Sequence, residues 1–321
     1  MKEIAVFTHH DLDGIFASFL LEQYFQKTDT AIRCKINSGS AGMQSSECIN
    51  YKLNRQKLWY YDQIILTDFV PTVNNCQKLI EWQETHQKNV IIFDHHLQSN
   101  DLAKRFPQLH FILSPKDNEF VSASLLVLYW LKQKDATIYQ EYYDLAHCVN
   151  AYDTYAFSLL PSKPYYDVAI KWNMLFYHLG PNKFIKRVSE NSDPYYFTTN
   201  EKQFFDKQYE IINANLELIS IQKEQYQIPL QNKQTVTIWL TTYLPQYASE
   251  ISNLILTEHP ELDIIILSNN EQAIFRTRKD NCDMNQLAQI FHGGGHQKAA
   301  GAKTGWLAIH QYLTSQVESK V

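Results

Sequence analysis

The first half of the chain alternates short apolar runs with amphipathic stretches. Three apolar runs, at residues 4–7, 64–66 and 90–93, have the length of buried strands. Segments with a helical pattern follow or separate them, at residues 15–25, 76–85, 122–132 and 142–155. Continuous apolar strands with helices between them are typical of a parallel sheet buried on both faces. We therefore predict an α/β fold with a doubly wound first domain, and an active site beyond the carboxyl ends of its strands.

The pattern changes in the second half of the chain. Residues 199–226 are mostly polar with apolar residues at helical spacing, which predicts one long linker helix. Strand-like runs follow at residues 235–240, 263–267 and 273–278, and a helical segment at residues 284–291 precedes a glycine-rich run. We predict a first domain at residues 1–198, a linker helix at 199–227 and a smaller α/β domain at 228–321.

Length, composition and charge exclude several classes of protein. The chain has 321 residues, of which 45% are hydrophobic and 20% charged, so a largely disordered chain is excluded. The net charge of −5 argues against a broad surface for long duplex nucleic acid. No apolar run reaches the ~18 residues of a membrane span, and we recognise no secretory signal. The five cysteines form no CxxC pair, so we expect reduced thiols in a cytoplasmic protein.

Histidine and aspartate residues follow each of the three predicted strands. The first strand leads into His9-His10-Asp11-Leu12-Asp13-Gly14, the second ends at Asp68, and the third ends at Asp94-His95-His96. Alternate side chains of an extended segment point to one side, so His9, Asp11 and Asp13 can converge. Imidazole and carboxylate ligands suit Mn²⁺, Fe or Zn²⁺, and the many oxygens favour Mn²⁺. Taken singly, each motif could instead be a helix cap, a turn or a solvated loop.

Together, these motifs carry a resemblance to a known family. The order HxDxDG, strand-end Asp68, DHH and the downstream Asp153 resembles the four motifs of the DHH phosphoesterase superfamily. Residues 293–301, GGGHQKAAG, resemble the GGGHxxAAG signature of the DHH-associated C-terminal domain. The HxDLDG form of the first motif is most similar to the nanoRNase, or oligoribonuclease, branch.

The resemblance implies a site for two divalent metal ions, usually Mn²⁺. His9 and Asp11 would hold the first ion, Asp13, His95 and Asp153 the second, and Asp68 would bridge the two. We prefer His9 to its neighbour as the ligand, although several branches of the family have a longer spacing here. Asp94 would orient a histidine ligand, and His96 would lie near the substrate as proton donor or phosphate contact.

The resemblance also implies that the second domain binds the substrate. The residues implied in this role are Gly293, Gly294, Gly295, His296, Lys298, Arg276 and Arg278. The glycines would let the backbone approach an anion closely, and an arginine would bind a phosphate group bidentately. The alternatives are that the glycine run forms a hairpin or cap and that both arginines are surface charges.

The expected function is metal-dependent hydrolysis of short oligoribonucleotides to nucleoside monophosphates. Alternatives within the family are a cyclic or linear dinucleotide phosphodiesterase and a 3′-phosphoadenosine 5′-phosphate phosphatase. A non-catalytic nucleotide-binding protein is the alternative of a different class. A homodimer is compatible with the sequence, and no membrane partner is expected.

Overall fold

The structure is a computed structural model, and it divides into two compact units, residues 1–197 and 198–321. The residues that it describes are 2–28, 30–38, 58–115, 121–154, 163–229, 235–242, 247–295 and 297–318. The assignment of residues 199–227 to a separate linker stays a prediction.

The first unit contains a five-stranded parallel sheet with the order β2-β1-β3-β4-β5. Its strands are β1 (Lys2–His9), β2 (Thr30–Ser38), β3 (Gln63–Thr67), β4 (Asn89–Asp94) and β5 (His110–Leu113). The three predicted strands are β1, β3 and β4, and they lie side by side at the centre. The predicted parallel sheet is therefore confirmed, and the sequence reading missed both edge strands.

Helices cover both faces of this sheet. They are α1 (Leu12–Lys27), α2 (Val73–His86), α3 (Leu97–Arg105), α4 (Ala123–Lys132), α5 (Ala136–Asp153), α6 (Lys163–Leu179) and α7 (Pro181–Glu190). On one face, Phe7 and Ile92 share a core with Leu79 and Trp82 of α2. On the other face, α1 contacts β1 and β3 while α4 contacts β4. The doubly wound arrangement predicted from the sequence is thereby confirmed.

The second unit contains a six-stranded mixed sheet with the order β10-β11-β9-β8-β7-β6. Its elements are α8 (Thr199–Gln222), β6 (Glu224–Pro229), β7 (Thr235–Thr241), α9 (Ala248–Glu258), β8 (Ile264–Ser268), β9 (Ala273–Thr277), α10 (Met284–Gln289), β10 (Gly294–Gly295), β11 (Ala299–Ala302) and α11 (Trp306–Glu318). One core of this unit includes Leu240, Ile266 and Phe275 from the sheet and Leu313 from α11.

The predicted helix at residues 199–226 is wrong in its last turn. The helix begins with a capping box in which Thr198 and Glu201 exchange hydrogen bonds, and it ends at Gln222. The chain then becomes β6, which pairs antiparallel with β7. Pairing with the next strand of the chain has overridden the local helical pattern, as contacts between elements often do.

Three cysteines have side chains that the structure describes. Cys76, Cys148 and Cys282 are buried free thiols. Cys48 and the side chain of Cys34 lie outside the described residues. Among the described helices, none is both long and apolar enough to cross a membrane.

Candidate metal centre

The carboxyl ends of β1, β3 and β4 bring the predicted ligands to one edge of the sheet. His9 is the last residue of β1, Asp68 directly follows β3, and His95 directly follows β4. Since these three parallel strands are neighbours, their ends meet. Asp11 is the N-cap of α1, and Asp153 is the last residue of α5.

A first group of ligands consists of His9, Asp11 and Asp68. Each offers one nitrogen or oxygen, and these atoms lie within 4.8 Å of one another. Nδ1 of His9 is 2.6 Å from Oδ2 of Asp11 and 3.5 Å from Oδ2 of Asp68. His10 is exposed, so the structure brings His9 and not its neighbour into this group.

A second group consists of Asp13, His95 and Asp153, again with ligand atoms within 4.8 Å of one another. Nε2 of His95 is 3.4 Å from Oδ2 of Asp153 and 3.2 Å from Oδ1 of Asp68. Asp68 therefore has one oxygen near His9 of the first group and the other near His95 of the second. This is the position that a bridging carboxylate needs.

Asp13 is held by the amino terminus of α4. Its Oδ2 accepts a hydrogen bond of 2.8 Å from the backbone N–H of Ala123, and its Oδ1 accepts one of 3.0 Å from that of Ser124. The N–H of Ser122 in turn donates to Oδ1 of Asn150 on α5, at 2.6 Å. Unsatisfied N–H groups at a helix start favour a carboxylate. Sequence spacing gave no signal of this contact, because it joins residues 110 positions apart.

The donor set fits divalent metal ions. Oδ2 of Asp68 and Oδ2 of Asp153 are both buried and lack a well-formed hydrogen bond from the described residues. Their histidine neighbours lie at longer distances, His9 at 3.5 Å from Asp68 and His95 at 3.4 Å from Asp153. A buried carboxylate oxygen without a donor is costly unless a cation pairs with it. Two imidazoles and four carboxylates are ligands that Mn²⁺ and similar ions accept.

The backbone takes unusual forms at this site. Asp68 has a φ of 60°, in the left-handed region that side chains other than glycine seldom adopt. Its N–H donates to the carbonyl of Phe93 on the neighbouring strand at 2.9 Å, which helps to hold this conformation. At Gly14, a Cβ would lie 2.5 Å from the carbonyl oxygen of His9 and 3.0 Å from Oδ2 of Asp68. Only glycine therefore lets α1 begin so close to the two ligands.

The carboxylate neighbours of His9 and His95 raise the pKa values of these two histidines. Burial acts to lower the pKa of His9, but hydrogen bonds and charge from Asp11 and Asp68 outweigh it and raise that pKa to about 11. Burial likewise opposes the charge of His95, yet Asp153 and Asp68 raise its pKa well above the usual value. Burial acts to raise the pKa of Asp68, and the hydrogen bonds of His9 and His95 instead lower it.

The other three carboxyl groups have raised pKa values. Burial and the charge of Asp68 raise the pKa of Asp13 to about 6, and the same two causes raise that of Asp11. Burial raises the pKa of Asp153 well above its usual value, against the charge of His95. Packing so many carboxylates together is unfavourable without cations, and divalent ions in place of protons would remove that cost.

His96 is held by Asp94, which is fully buried. Nδ1 of His96 lies 2.7 Å from Oδ1 of Asp94, and the hydroxyl of Ser99 donates to Oδ2 of the same carboxylate. Asp94 was expected to orient a histidine ligand, whereas its contact goes to His96, which was expected near the substrate. Burial acts to lower the pKa of His96, and the charge of Asp94 raises it above the usual value. Sequence reasoning missed Ser99, whose position in the first turn of α3 is too common to serve as a signal.

The predicted substrate-binding cations of the second unit have partners within that unit. Nη1 of Arg276 donates to the carbonyl oxygens of Phe275 at 3.0 Å and Ala300 at 3.2 Å, and its Nη2 donates to Oγ of Ser249 at 3.3 Å. Nη1 of Arg278 donates to Oγ1 of Thr257 at 2.7 Å, and this arginine is exposed.

Lys298 and the glycine run also make contacts inside the second unit. Nζ of Lys298 is 2.6 Å from the exposed carboxylate of Asp280. The N–H of Gly293 donates to the carbonyl of Ala288, and that of Gly295 donates to Oδ1 of Asn285. The N–H groups of Gly293 and Gly295 are therefore used within the fold.

The remaining members of the predicted run differ in how far they are described. Gly294 pairs with Gly301 in the antiparallel contact between β10 and β11. A Cβ at Gly293 would overlap the carbonyl oxygen of Gly301, so close packing of backbone explains this glycine. His296 lies outside the described residues.

Known proteins resemble this chain over most of its length. Oligoribonuclease NrnB of Bacillus subtilis (strain 168) is 27% identical over 310 residues, which cover 92% of this chain and 71% of that protein. A 3′,5′-cyclic-nucleotide phosphodiesterase of Helicobacter pylori (strain ATCC 700392 / 26695) is 22% identical over 94% of this chain and 93% of that protein. Among solved structures, a DHH domain from a family of ribosomal proteins has a TM-score of 0.68. The sequence of that structure is 12% identical to this chain, and the match covers 99% of this chain and 86% of the other. At this identity the likeness supports the fold alone.

The family model covers the part of the chain that carries the first three motifs. Residues 3–151 match the DHH family, N-terminal domain, and Asp153 lies two positions beyond the match. The resemblance seen in the sequence is thereby confirmed, and the oligoribonuclease branch fits the relatives. Residues 3–151 of this chain therefore form a DHH family domain.

Proposed function

We propose that this protein hydrolyses phosphodiester bonds of short oligoribonucleotides and releases nucleoside monophosphates. The observation that carries the proposal is the position of Asp68, with one oxygen toward each of two ligand groups. The oligoribonuclease and the cyclic-nucleotide phosphodiesterase among the relatives support a hydrolase that acts on phosphodiesters.

Two divalent ions, for which we propose Mn²⁺, would be held by the two groups. His9 and Asp11 would bind one, Asp13, His95 and Asp153 the other, and Asp68 both. Paired divalent ions ~3.5–4 Å apart lower the pKa of water toward neutrality and neutralise charge on a phosphoryl group. The buried Oδ2 atoms of Asp68 and Asp153, which lack a well-formed hydrogen bond from the described residues, support this proposal.

The protein's own residues would supply the remaining steps. Water would lose a proton to the solvent and form a bond to phosphorus as the bond to the leaving oxygen breaks, and that oxygen would take the electron pair. His96 would donate the proton that the leaving oxygen needs, because Asp94 holds its Nδ1 and the opposite ring nitrogen, Nε2, can face the substrate. A ring nitrogen of His96 lies within 4.8 Å of ligand atoms of Asp68 and His95, close to the proposed metal site.

We further propose that the second unit binds the phosphate groups of the substrate. Arg278 is exposed, and Lys298 has the exposed Asp280 as its carboxylate partner among the described residues. Of the proposed cations, these two are therefore best suited to leave their present partners, Thr257 for Arg278 and Asp280 for Lys298, and to bind a phosphate group instead. Arg276 and the glycine run would contribute mainly by holding the shape of this region, since their described contacts are internal. The net charge of −5 suits a short substrate better than a long strand.

A second candidate function is hydrolysis of cyclic nucleotides. Its support is the Helicobacter pylori phosphodiesterase, which matches this chain along 94% of its length. The same ligand groups would serve both reactions, so only the substrate distinguishes them.

A product time course with Mn²⁺ tests the proposal. The substrates are 5′-phosphorylated RNA of two to twenty-four nucleotides, cyclic dinucleotides, 3′,5′-cyclic AMP, phosphoadenosine phosphate and pyrophosphate. We expect dimers to pentamers to be converted fastest, into mononucleotides. Preference for a cyclic nucleotide would favour the second candidate, and binding without turnover would favour a non-catalytic nucleotide-binding protein.

The variant Asp68→Asn tests the bridging role. Asparagine tolerates the left-handed conformation of this position, so the variant removes the charge while keeping the backbone. We expect loss of turnover with the fold retained. The matched control is Asp101→Asn, which changes an exposed aspartate in α3 and should leave turnover unchanged. Full turnover by Asp68→Asn would contradict the assignment.

A further inference from the structure

The geometry around Asp94 points to Ser99 as a positioning residue for the reaction. We infer that the Ser99 hydroxyl fixes the Asp94 carboxylate, and that this carboxylate fixes the ring of His96. The inference rests on the proposed function, in which His96 gives a proton to the leaving oxygen. Ser99 itself would not touch the substrate.

Both oxygens of Asp94 have defined donors. Oδ1 faces Nδ1 of His96 at 2.7 Å, and Oδ2 accepts the hydroxyl hydrogen of Ser99 in a short contact. Asp94 and Ser99 are each 0% exposed, so water does not compete for these hydrogen bonds. A carboxylate held at both oxygens cannot turn about its χ2 axis without breaking one of them.

The role of a simple helix cap does not explain Ser99. The N-cap of α3 is His96, which makes no hydrogen bond to the helix with its side chain. Ser99 is in the first turn, and its hydroxyl goes to Asp94 and not to a backbone group. The first turn of α3 therefore serves to place a donor beneath the Asp94 carboxylate.

A fixed Asp94 determines which nitrogen of His96 can face a substrate. A carboxylate at Nδ1 keeps a hydrogen on that nitrogen and leaves Nε2 as the nitrogen that exchanges a proton. Loss of the Ser99 hydroxyl would let the carboxylate rotate and the ring tilt. Proton donation by His96 would then weaken, whereas metal binding by the two ligand groups would not change.

Substrates with different leaving groups test this inference. Ser99→Ala is compared with the wild type on an RNA dinucleotide and on a nucleoside 5′-p-nitrophenyl phosphate, whose leaving group needs no proton. General acid catalysis contributes ~10²–10⁴-fold, so misplacement should lower kcat for the dinucleotide by about tenfold or more. We expect the KM of Ser99→Ala for the dinucleotide to stay within about twofold of the wild-type value. The kcat for the p-nitrophenyl ester should also stay within about twofold of that of the wild type.

Ser18→Ala is the matched control. Ser18 is also buried in the first unit, but its hydroxyl has no hydrogen-bond partner among the described residues. This variant should behave as the wild type on both substrates. Ser99→Cys keeps a weak donor and should be intermediate, and it replaces Ser99→Ala if that variant does not fold. Equal loss of both activities by Ser99→Ala, or no loss of either, overturns the inference.

Two further measurements separate the inference from the proposed function. In a His96→Ala background, adding Ser99→Ala should have no further effect on kcat, and an independent further loss would overturn the inference.

The ¹⁵N resonances of the His96 ring, recorded with Mg²⁺, should report hydrogen on Nδ1 in the wild type. In Ser99→Ala they should report a changed distribution of hydrogen between the two ring nitrogens. A wild type without turnover on any substrate refutes the proposed function alone. An unchanged His96 spectrum in Ser99→Ala refutes the inference alone.

Discussion

Replacing Gly14 with alanine tests whether the beginning of α1 can move without loss of the metal site. The added Cβ would lie 2.5 Å from the carbonyl oxygen of His9, 2.8 Å from Oγ1 of Thr8 and 3.0 Å from Oδ2 of Asp68. Ordinary contacts between heavy atoms lie near ~3.5 Å, so the first turn must shift by roughly 1 Å. Asp11 and Asp13, on either side of the helix start, would move with it.

Two opposing effects decide the stability of Gly14→Ala. Alanine is a better helix former than glycine by at most ~1 kcal/mol, and overpacking a tight site costs ~1–3 kcal/mol. We therefore expect a net loss of about 0–2 kcal/mol of unfolding free energy. A displacement of ~1 Å at a catalytic site can lower the rate by about 10²-fold. The predicted signature is a modest change in stability with a large loss of turnover and of Mn²⁺ affinity.

Urea unfolding, calorimetric titration with Mn²⁺ and kcat on an RNA dinucleotide measure the three quantities. Ser18→Ala is the control, because it also introduces alanine into the buried face of α1 but adds no atom. Full turnover and full Mn²⁺ affinity in Gly14→Ala would refute the reasoning, since the site would then tolerate a displaced helix start.

Three other predictions concern single groups. Mn²⁺ binding should release protons near pH 8, because His9, with its pKa raised to about 11, must lose a proton to bind metal. The affinity for Mn²⁺ should then rise with pH. Calorimetry in buffers of different ionisation enthalpy measures the proton release, and a binding heat that is the same in every buffer would contradict this prediction. Asp13→Asn should lose ~1–3 kcal/mol of unfolding free energy without metal, because its amide cannot accept both backbone N–H groups. Arg276→Lys should destabilise the second unit by ~1–3 kcal/mol in urea, whereas Arg278→Lys, at an exposed site, should not.

The centre of the first sheet was predictable because its strands are buried on both faces. Such strands read as continuous apolar runs, and each is followed directly by histidine or aspartate. The edge strands carry weaker signals. The sequence of β2, TAIRCKINS, mixes polar and apolar residues, and β5 has only four residues. Pairing with a neighbour, not local pattern, makes each of them a strand.

The candidate site was predictable in its residue types but not in its supporting contacts. The family resemblance, carried by the order of the motifs, implied His9, Asp68 and His95, and the structure places each of them at or directly after the end of a strand. The contact of Asp13 with α4 depends on how distant elements pack, so spacing along the chain does not show it. Ser99 is only five positions from Asp94, but a serine in the first turn of a helix is too common to serve as a signal. The internal contacts of the glycine run were likewise invisible, because a glycine that packs closely and one that binds an anion look alike in a sequence.

The contact between Asp13 and α4 sets when the second ligand group can form during synthesis. The two N–H groups that Asp13 needs come 110 and 111 positions later, and Asp153 comes 140 positions after Asp13 (153 − 13). Ribosomes add ~5–20 residues per second, so Asp13 waits on the order of 7–28 s for its last partner. A nascent chain that ends after the central strands would contain His9, Asp11 and Asp68, but it would lack α4, whose first N–H groups donate to Asp13. Under the proposed two-metal function, both groups would be complete only after α5 has been made, so metal loading would require synthesis of at least residues 1–153.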